Sequence, residues 1–312
     1  MNDRIALFAA LTSLYLVWGS TYLAIAVAVR SLPPLAMAGT RFIVAGGCML
    51  LWLRWRGTPW PTPRQWGMSL LVGTLLLLGG NGTVCLVAHA VPSGVVALVI
   101  ACTTLAMVAV DWACGGARPG LRVGAGVALG LVGVTVLVWH PGAAAGYPWW
   151  GIAALLGACL AWAGGSVLSR RAAPAAQIPS PWMATAAQML LGGGMVLVAA
   201  TVHGEWQDVD PRQVTTASLV AWGYLVVGGS IVGFGSYVWL LRHASPALAT
   251  SYGYVNPLVA MVLGAWLNAE SVSGQMLVSA AIIIAAVALI AAAPRHAVGE
   301  PRHAVGERKS DD

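Results

Sequence analysis

The side chains in this sequence that could do chemistry are of two kinds. The first kind is aromatic, amide and hydroxyl. It occurs as Trp18-Gly19-Ser20-Thr21-Tyr22, as Trp162 with Ser166, as Asn81 between Gly80 and Gly82, and as Tyr252, Tyr254 and Asn256 before Pro257. Trp and Tyr combine a flat apolar body with a polar tip, so the chemistry they suit is binding of a small amphipathic molecule rather than bond-making. Pro257 removes a backbone donor and frees a carbonyl in the turn before it. Helix packing uses the same residue types, because Gly and Ser let helices approach and Asn and Tyr bond across them. Aromatic and amide groups fall at corresponding places in the two halves of the chain. Trp18, Ser20, Tyr22, Asn81, Trp162, Tyr252 and Asn256 are therefore the candidate substrate-binding residues.

The second kind is ionisable. Arg41 lies about six residues inside an apolar run, roughly 9 Å at helical rise, with no acidic neighbour in sequence. A guanidinium binds carboxylate or phosphate through two parallel bonds, so Arg41 joins the binding set as an anion anchor. A pair with Glu270 is its structural alternative. His89, Asp111, His243 and Glu270 stand near the ends of apolar runs and are the candidate coupling groups. Histidine titrates near neutral pH, and a carboxylate at membrane depth can carry a proton or hold a cation. Each has a plainer reading: the histidines as end caps, and Asp111, beside Trp112, as a hydrated carboxylate reaching the interface. Cys48, Cys85, Cys102, Cys114 and Cys159 have no paired spacing, which favours apolar packing over a metal site or disulfide. HExxH, GxSxG, GxGD and GK[ST] patterns are absent from the sequence, so no enzyme motif and no ATP-binding loop can be assigned. No cofactor is expected.

These residues are carried by apolar runs at 5–29, 35–53, 66–87, 93–113, 121–139, 149–169, 181–202, 215–240, 247–268 and 274–293. Each approaches the 20 or so residues that cross a bilayer as a helix. With 59% hydrophobic and 8% charged residues, the chain lacks the polar surface of a water-soluble globule. The runs do not alternate with period two, which excludes a barrel of strands. The first run is too long for a secretory leader, so it is read as a retained span. The pI near 9.4 reflects topology, not nucleic acid. With the N-terminus in the cytoplasm, thirteen of the sixteen Arg and Lys residues fall on that side and only Arg30, Arg41 and Arg212 on the other. Positive-inside bias then places both termini in the cytoplasm.

The halves repeat. LTSLYLVWGSTY at 11–22 resembles LLGACLAWAGGS at 155–166, and His89-Ala90-Val91-Pro92 matches His243-Ala244-Ser245-Pro246 at an offset of 154, as do Trp112 and Trp266. Trp18 and Trp162 differ by 144, and the acidic loop from His203 to Gln213 accounts for the extra residues. Five spans per half is an odd number, so the second half is inverted. The expected fold is an all-α integral membrane protein of ten transmembrane helices in two inverted five-helix repeats, 5–139 and 149–293, with a disordered cytoplasmic tail at 294–312 that repeats PRHAVGE. Inverted repeats around a midplane site are an architecture of secondary transporters.

VWGSTY (17–22), PPLAMAGTRF (33–42), GNG (80–82), VPSG (91–94) and SPALATSYGYVNP (245–257) resemble the drug/metabolite transporter superfamily, in its EamA-type ten-helix branch and nearest to the YedA-like exporters. The resemblance runs from about Ala10 to Ala292. It implies alternating-access export of small metabolites or drugs, amino-acid-like or amphipathic, from the cytoplasm across a bacterial inner membrane. The partners implied are the small-molecule substrate, the lipid bilayer and a proton as counter-ion; a homodimer is compatible. Two positions depart from the family pattern: Ala88 and Gly116 stand where acidic residues are frequent. A lipid flippase-like carrier and a membrane-embedded transferase are the alternative readings.

Overall fold

The structure, a computed structural model, describes residues 3–116, 118–139, 147–208, 210–244 and 251–291. Among these the regular structure is helical, with no strand. The helices are α1 (Asp3–Ala28), α2 (Pro34–Trp55), α3 (Pro63–Val87), α4 (Ser93–Ala113), α5 (Leu121–Val138), α6 (Trp149–Arg171) and α7 (Pro181–Val202). They continue with α8, which runs through Thr216–Tyr224, Leu225–Gly233 and Phe234–His243, then α9 (Tyr252–Asn268) and α10 (Gly274–Ala291). Helix ends lie within three residues of the apolar runs, except at the start of α9, where 245–250 are outside the described residues. The tail at 294–312 is also outside them. Seven described helices are long and apolar enough to cross a membrane, namely α1 to α4 and α6 to α8. The apolar segments Leu121–Leu137 and Gly274–Ile290 are shorter.

Local chemistry sets where these helices begin. Pro34, Pro63 and Pro181 sit in first turns, where a missing N–H costs nothing. Thr62 and Gln65 form a reciprocal capping box ahead of α3. Ser180 and Thr215 accept backbone bonds at the starts of α7 and α8. Apolar side chains on outward faces, such as Phe8, Leu51, Val202, Val262 and Leu277, are exposed. So are Trp55, Trp60, Trp112, Trp139, Trp149 and Trp266 near helix ends, as expected of an aromatic belt at a bilayer interface.

Helix neighbours exchange in a regular way. α2 packs on α7, α4 on α9 and α5 on α10. The pairs α1–α9, α1–α8 and α3–α7 are matched by α6–α4, α6–α3 and α8–α2, which are what results when each helix is replaced by the one five places on. Both α3 and α8 widen into nine-residue π stretches, Thr74–Gly82 and Leu225–Gly233. Each stretch receives a tryptophan from the opposite half. Trp18 donates from Nε1 to the Gly229 carbonyl at 3.2 Å, and a Cβ on Gly80 would sit 2.9 Å from the Trp162 ring. π stretches often mark functional segments of a helix.

Glycine permits the closest crossings. A Cβ on Gly73 would lie 2.5 Å from the Gln188 carbonyl, and one on Gly192 would lie 2.5 Å from that of Gly73. By contrast, Gly194 has nothing within 4 Å of its added Cβ. Gly73→Ala or Gly192→Ala should therefore cost about 1–3 kcal/mol through overpacking. Gly194→Ala should be neutral or stabilising by up to about 1 kcal/mol. Melting temperatures in detergent check this; equal effects at all three positions would contradict the α3–α7 crossing.

Candidate functional site

An aromatic cluster forms where α1, α8 and α9 meet. Trp18 lies at its centre, with ring centroids 5.0 Å from Tyr252, 5.2 Å from Phe234 and 5.4 Å from Tyr237. The Tyr252 and Phe234 contacts are edge-on, the favoured geometry for aromatic pairs. Tyr15 and Ser251 share a hydroxyl bond of 2.5 Å beside this cluster. Ser20 turns back to the Leu16 carbonyl and meets the Tyr224 hydroxyl at 2.6 Å, so its polar atom is already engaged. Asn256 is buried on α9, and its Oδ1 has no hydrogen-bond partner. Tyr22 is partly buried against the main apolar core, and Trp162 packs on the π stretch of α3.

A second group joins α2 to α3. Arg41 is only 3% exposed and donates from Nη2 to Asn81 Oδ1 at 2.5 Å. Its guanidinium carbon lies 4.3 Å from the Phe42 ring centroid, a contact worth about 0.5–2 kcal/mol. Arg41 Nε has no partner. The alternative pairing of Arg41 with Glu270 is not what forms. Glu270 accepts instead from Ser93 Oγ at 3.0 Å, Asn268 Nδ2 at 2.9 Å and Gly94 N at 3.4 Å. The cause is local. Ala269 takes a left-handed conformation (φ 52°), and the turn after α9 places the carboxylate at the start of α4, where free N–H groups and the helix dipole favour it.

The candidate coupling residues have separate settings. His89 and Glu270 line one pocket of about 400 Å³, together with Arg30 and Asn268. Arg30 donates to Asn268 Oδ1, which ties the end of α1 to the end of α9. Tyr147, just ahead of α6, has its phenol raised above the usual range by burial, with a smaller push from the Glu270 charge. Asp111, partly exposed at the end of α4, is held in an ion pair. Arg171 reaches it at 2.9 Å and Arg170 at 3.8 Å, because the basic end of α6 packs beside the end of α4. His243 stacks on Trp239 at 4.3 Å, and its Nδ1 lies 2.9 Å from the Trp239 carbonyl. Sequence reasoning missed Glu205, a buried carboxylate that accepts from the Leu35 and Ala36 N–H groups at the start of α2. Two consecutive prolines before free N–H groups signal a need for a cap, but not which distant loop supplies it.

Polar groups thus sit inside a lipid-facing bundle whose two halves exchange equivalent contacts. The EamA-like transporter family matches residues 4–139 and again residues 149–292. The chain belongs to the EamA-like transporter family. It is similar to the inner membrane transporter YedA of Escherichia coli strain K12, at 39% identity over 92% of this chain and 90% of that one. A probable amino-acid metabolite efflux pump of Salmonella typhimurium is 23% identical over 87% of this chain and 90% of its own. One crystal structure, 18% identical, superposes with a TM-score of 0.62 and covers 93% of this chain and 97% of that one, which bears on the fold alone.

These EamA-family contacts make a direct prediction. Arg41→Ala and Glu270→Ala should combine additively in melting experiments, to within about 0.5 kcal/mol, because the two side chains share no partner. Arg41→Ala and Asn81→Ala should be coupled by more than that. Coupling in the first pair and none in the second would reverse the assignment of partners.

Proposed function

We propose that this protein is a secondary carrier of the bacterial inner membrane that exports small metabolites by alternating access. In this reading all ten helices span the bilayer as two inverted five-helix repeats, 5–139 and 149–293, with both termini in the cytoplasm. One observation carries the proposal. Among the described residues, the buried side-chain nitrogen and oxygen atoms without a partner are Arg41 Nε and Asn256 Oδ1. A donor and an acceptor left open inside a membrane bundle are costly unless something else occupies them. Both belong to residues that the sequence makes candidates for a substrate site. Relatives named as a transporter and an efflux pump support the same direction.

In this proposal Trp18, Tyr252 and Asn256 face the substrate from one side, Arg41 and Asn81 from another, and Trp162 takes the place of Trp18 in the second half. Ser20 and Tyr22 support Trp18 from the same helix. Proton exchange is the coupling we favour, with His89 and Glu270 as the first groups to examine because they share an open pocket. Asp111 and His243 are engaged with neighbours at their own helix ends.

The test has two arms. In a cysteine-free version, Gln207→Cys should react with an impermeant thiol reagent in intact cells, whereas Gly57→Cys and Ser310→Cys should react only after the membrane is opened. In the second arm, overexpression should enrich specific metabolites in the medium and deletion should deplete them. Trp18→Ala should lower that export about tenfold or more, the scale expected for loss of a central aromatic contact, at normal membrane abundance. External labelling of Ser310→Cys overturns the orientation. Lipid reorientation without solute export supports the flippase alternative instead.

A further inference from the structure

We infer that the molecule this carrier moves bears a carboxylate, read by the Nε–Nη2 edge of Arg41. This rests on the transport reading and narrows it to a substrate class. A guanidinium keeps its charge at any physiological pH and cannot shed it when buried. At 3% exposure, Arg41 therefore needs a counter-charge. Among the described residues the ion pairs involve Asp111 with Arg170 and Arg171, and no carboxylate lies within ion-pair distance of Arg41. The two buried or half-buried carboxylates elsewhere are committed. Glu205 takes the N–H groups of Leu35 and Ala36, and Glu270 takes Ser93, Gly94 and Asn268.

What Arg41 has is one neutral acceptor, Asn81 Oδ1, on Nη2. Nε and Nη2 form one edge of the guanidinium, and a carboxylate binds such an edge with both oxygens. Asn81 takes one N–H of Nη2, and Nε is left open. The amide oxygen brings no charge, so the buried guanidinium remains short of one negative group. Among the described residues the surroundings supply no second anion. Phe42 covers one face of the guanidinium, and Cys85, Leu77 and Val84 on α3 are buried apolar groups. Asn81 itself stands in the π stretch of α3, against which Trp162 packs one residue away at Gly80.

The experiment converts Asn81 into the missing ligand. Asn81→Asp supplies a permanent carboxylate to Arg41, so it should raise the melting temperature of the full-length protein in detergent. It should also abolish protection by added carboxylates. The probes are acetate, benzoate and phenylalanine, each beside its own amide. On wild type, at least one carboxylate should raise the melting temperature and its amide should not. Arg41→Lys keeps the charge but loses the planar edge, so the half-saturating carboxylate concentration should rise about tenfold or more. Asn81→Leu serves if Asn81→Asp does not accumulate; it should lower stability yet retain carboxylate protection. The inference is overturned if amides protect as well as carboxylates, if no carboxylate protects wild type, or if carboxylates still protect Asn81→Asp. The readout is binding, so it separates from transport. Export of neutral or cationic solutes without carboxylate protection sinks this inference and leaves the carrier standing. Carboxylate protection without any export does the reverse.

Discussion

Lipid offers no hydrogen bonds, so every polar group inside the bundle has to be answered by another part of the same chain. Most of the non-local contacts follow from that requirement. The free N–H groups at the start of α2 are met by Glu205 from beyond α7, and those at the start of α4 by Glu270 from beyond α9. Ser218 Oγ donates to the Val27 carbonyl of α1, and Ser279 Oγ to the Gly133 carbonyl of α5. Each bond fixes the end or the depth of one helix against another. Each would be replaceable by water in a soluble protein, and here it is not. Arg41 Nε and Asn256 Oδ1 matter because they break a rule that the rest of the described bundle obeys.

The two halves obey the rule with different chemistry. Each π stretch carries a glycine pair followed by a polar residue, Gly79-Gly80-Asn81 in α3 and Gly228-Gly229-Ser230 in α8, two positions apart in register. Ser230 bonds to the Leu225 carbonyl within its own stretch at 3.0 Å and asks nothing of its neighbours. Asn81 reaches across to Arg41. Seven residues after the first-turn proline, α2 carries Arg41 where α7 carries Gln188. One half therefore presents a cation with an amide, and the other an amide with a self-satisfied hydroxyl. A symmetric scaffold with an asymmetric charge can hold a polar molecule in one orientation, which two identical halves could not do.

The helices were legible in the sequence because length and apolarity are properties of each segment alone. Arg41 and the Trp18–Tyr252 group were legible as oddities, since a charge deep in an apolar run needs a reason wherever its partner lies. The partner was not legible. Arg41 and Glu270 were candidate partners because Glu270 follows a helix that ends on the same expected side, but the left-handed turn at Ala269 commits the carboxylate to α4. The partner of Asp111 was equally out of reach, because Arg171 is 60 residues away and only the packing of α6 on α4 joins them. The π stretches left no periodic trace at all. A helix that widens keeps the same composition, and two adjacent glycines are a weak sign in a chain that has 38.

Equivalence between the halves extends to the helix ends, and there it bears on how such a molecule could move. Arg30 joins the end of α1 to that of α9 through Asn268, and Arg171 joins the end of α6 to that of α4 through Asp111. These are the same two contacts under exchange of the halves, and in the proposed topology they lie at opposite membrane faces. Both involve partly exposed side chains, and an exposed ion pair such as Asp111 with Arg171 contributes about 0–1 kcal/mol. The crossings of α2 and α3 with α7 are of another order. Glycines bring backbone against backbone at Gly73, Gly192, Gly39 and Gly193, and a packed interface of that kind resists continuous deformation. Ties that are cheap to break at the ends, around crossings that are costly to disturb, favour rocking of the α1–α9 and α6–α4 ends about the centre over any rearrangement of it. Arg41 and Asn81 sit with the fixed part. In the proposed cycle the anion site would then stay in place while access to it changes sides.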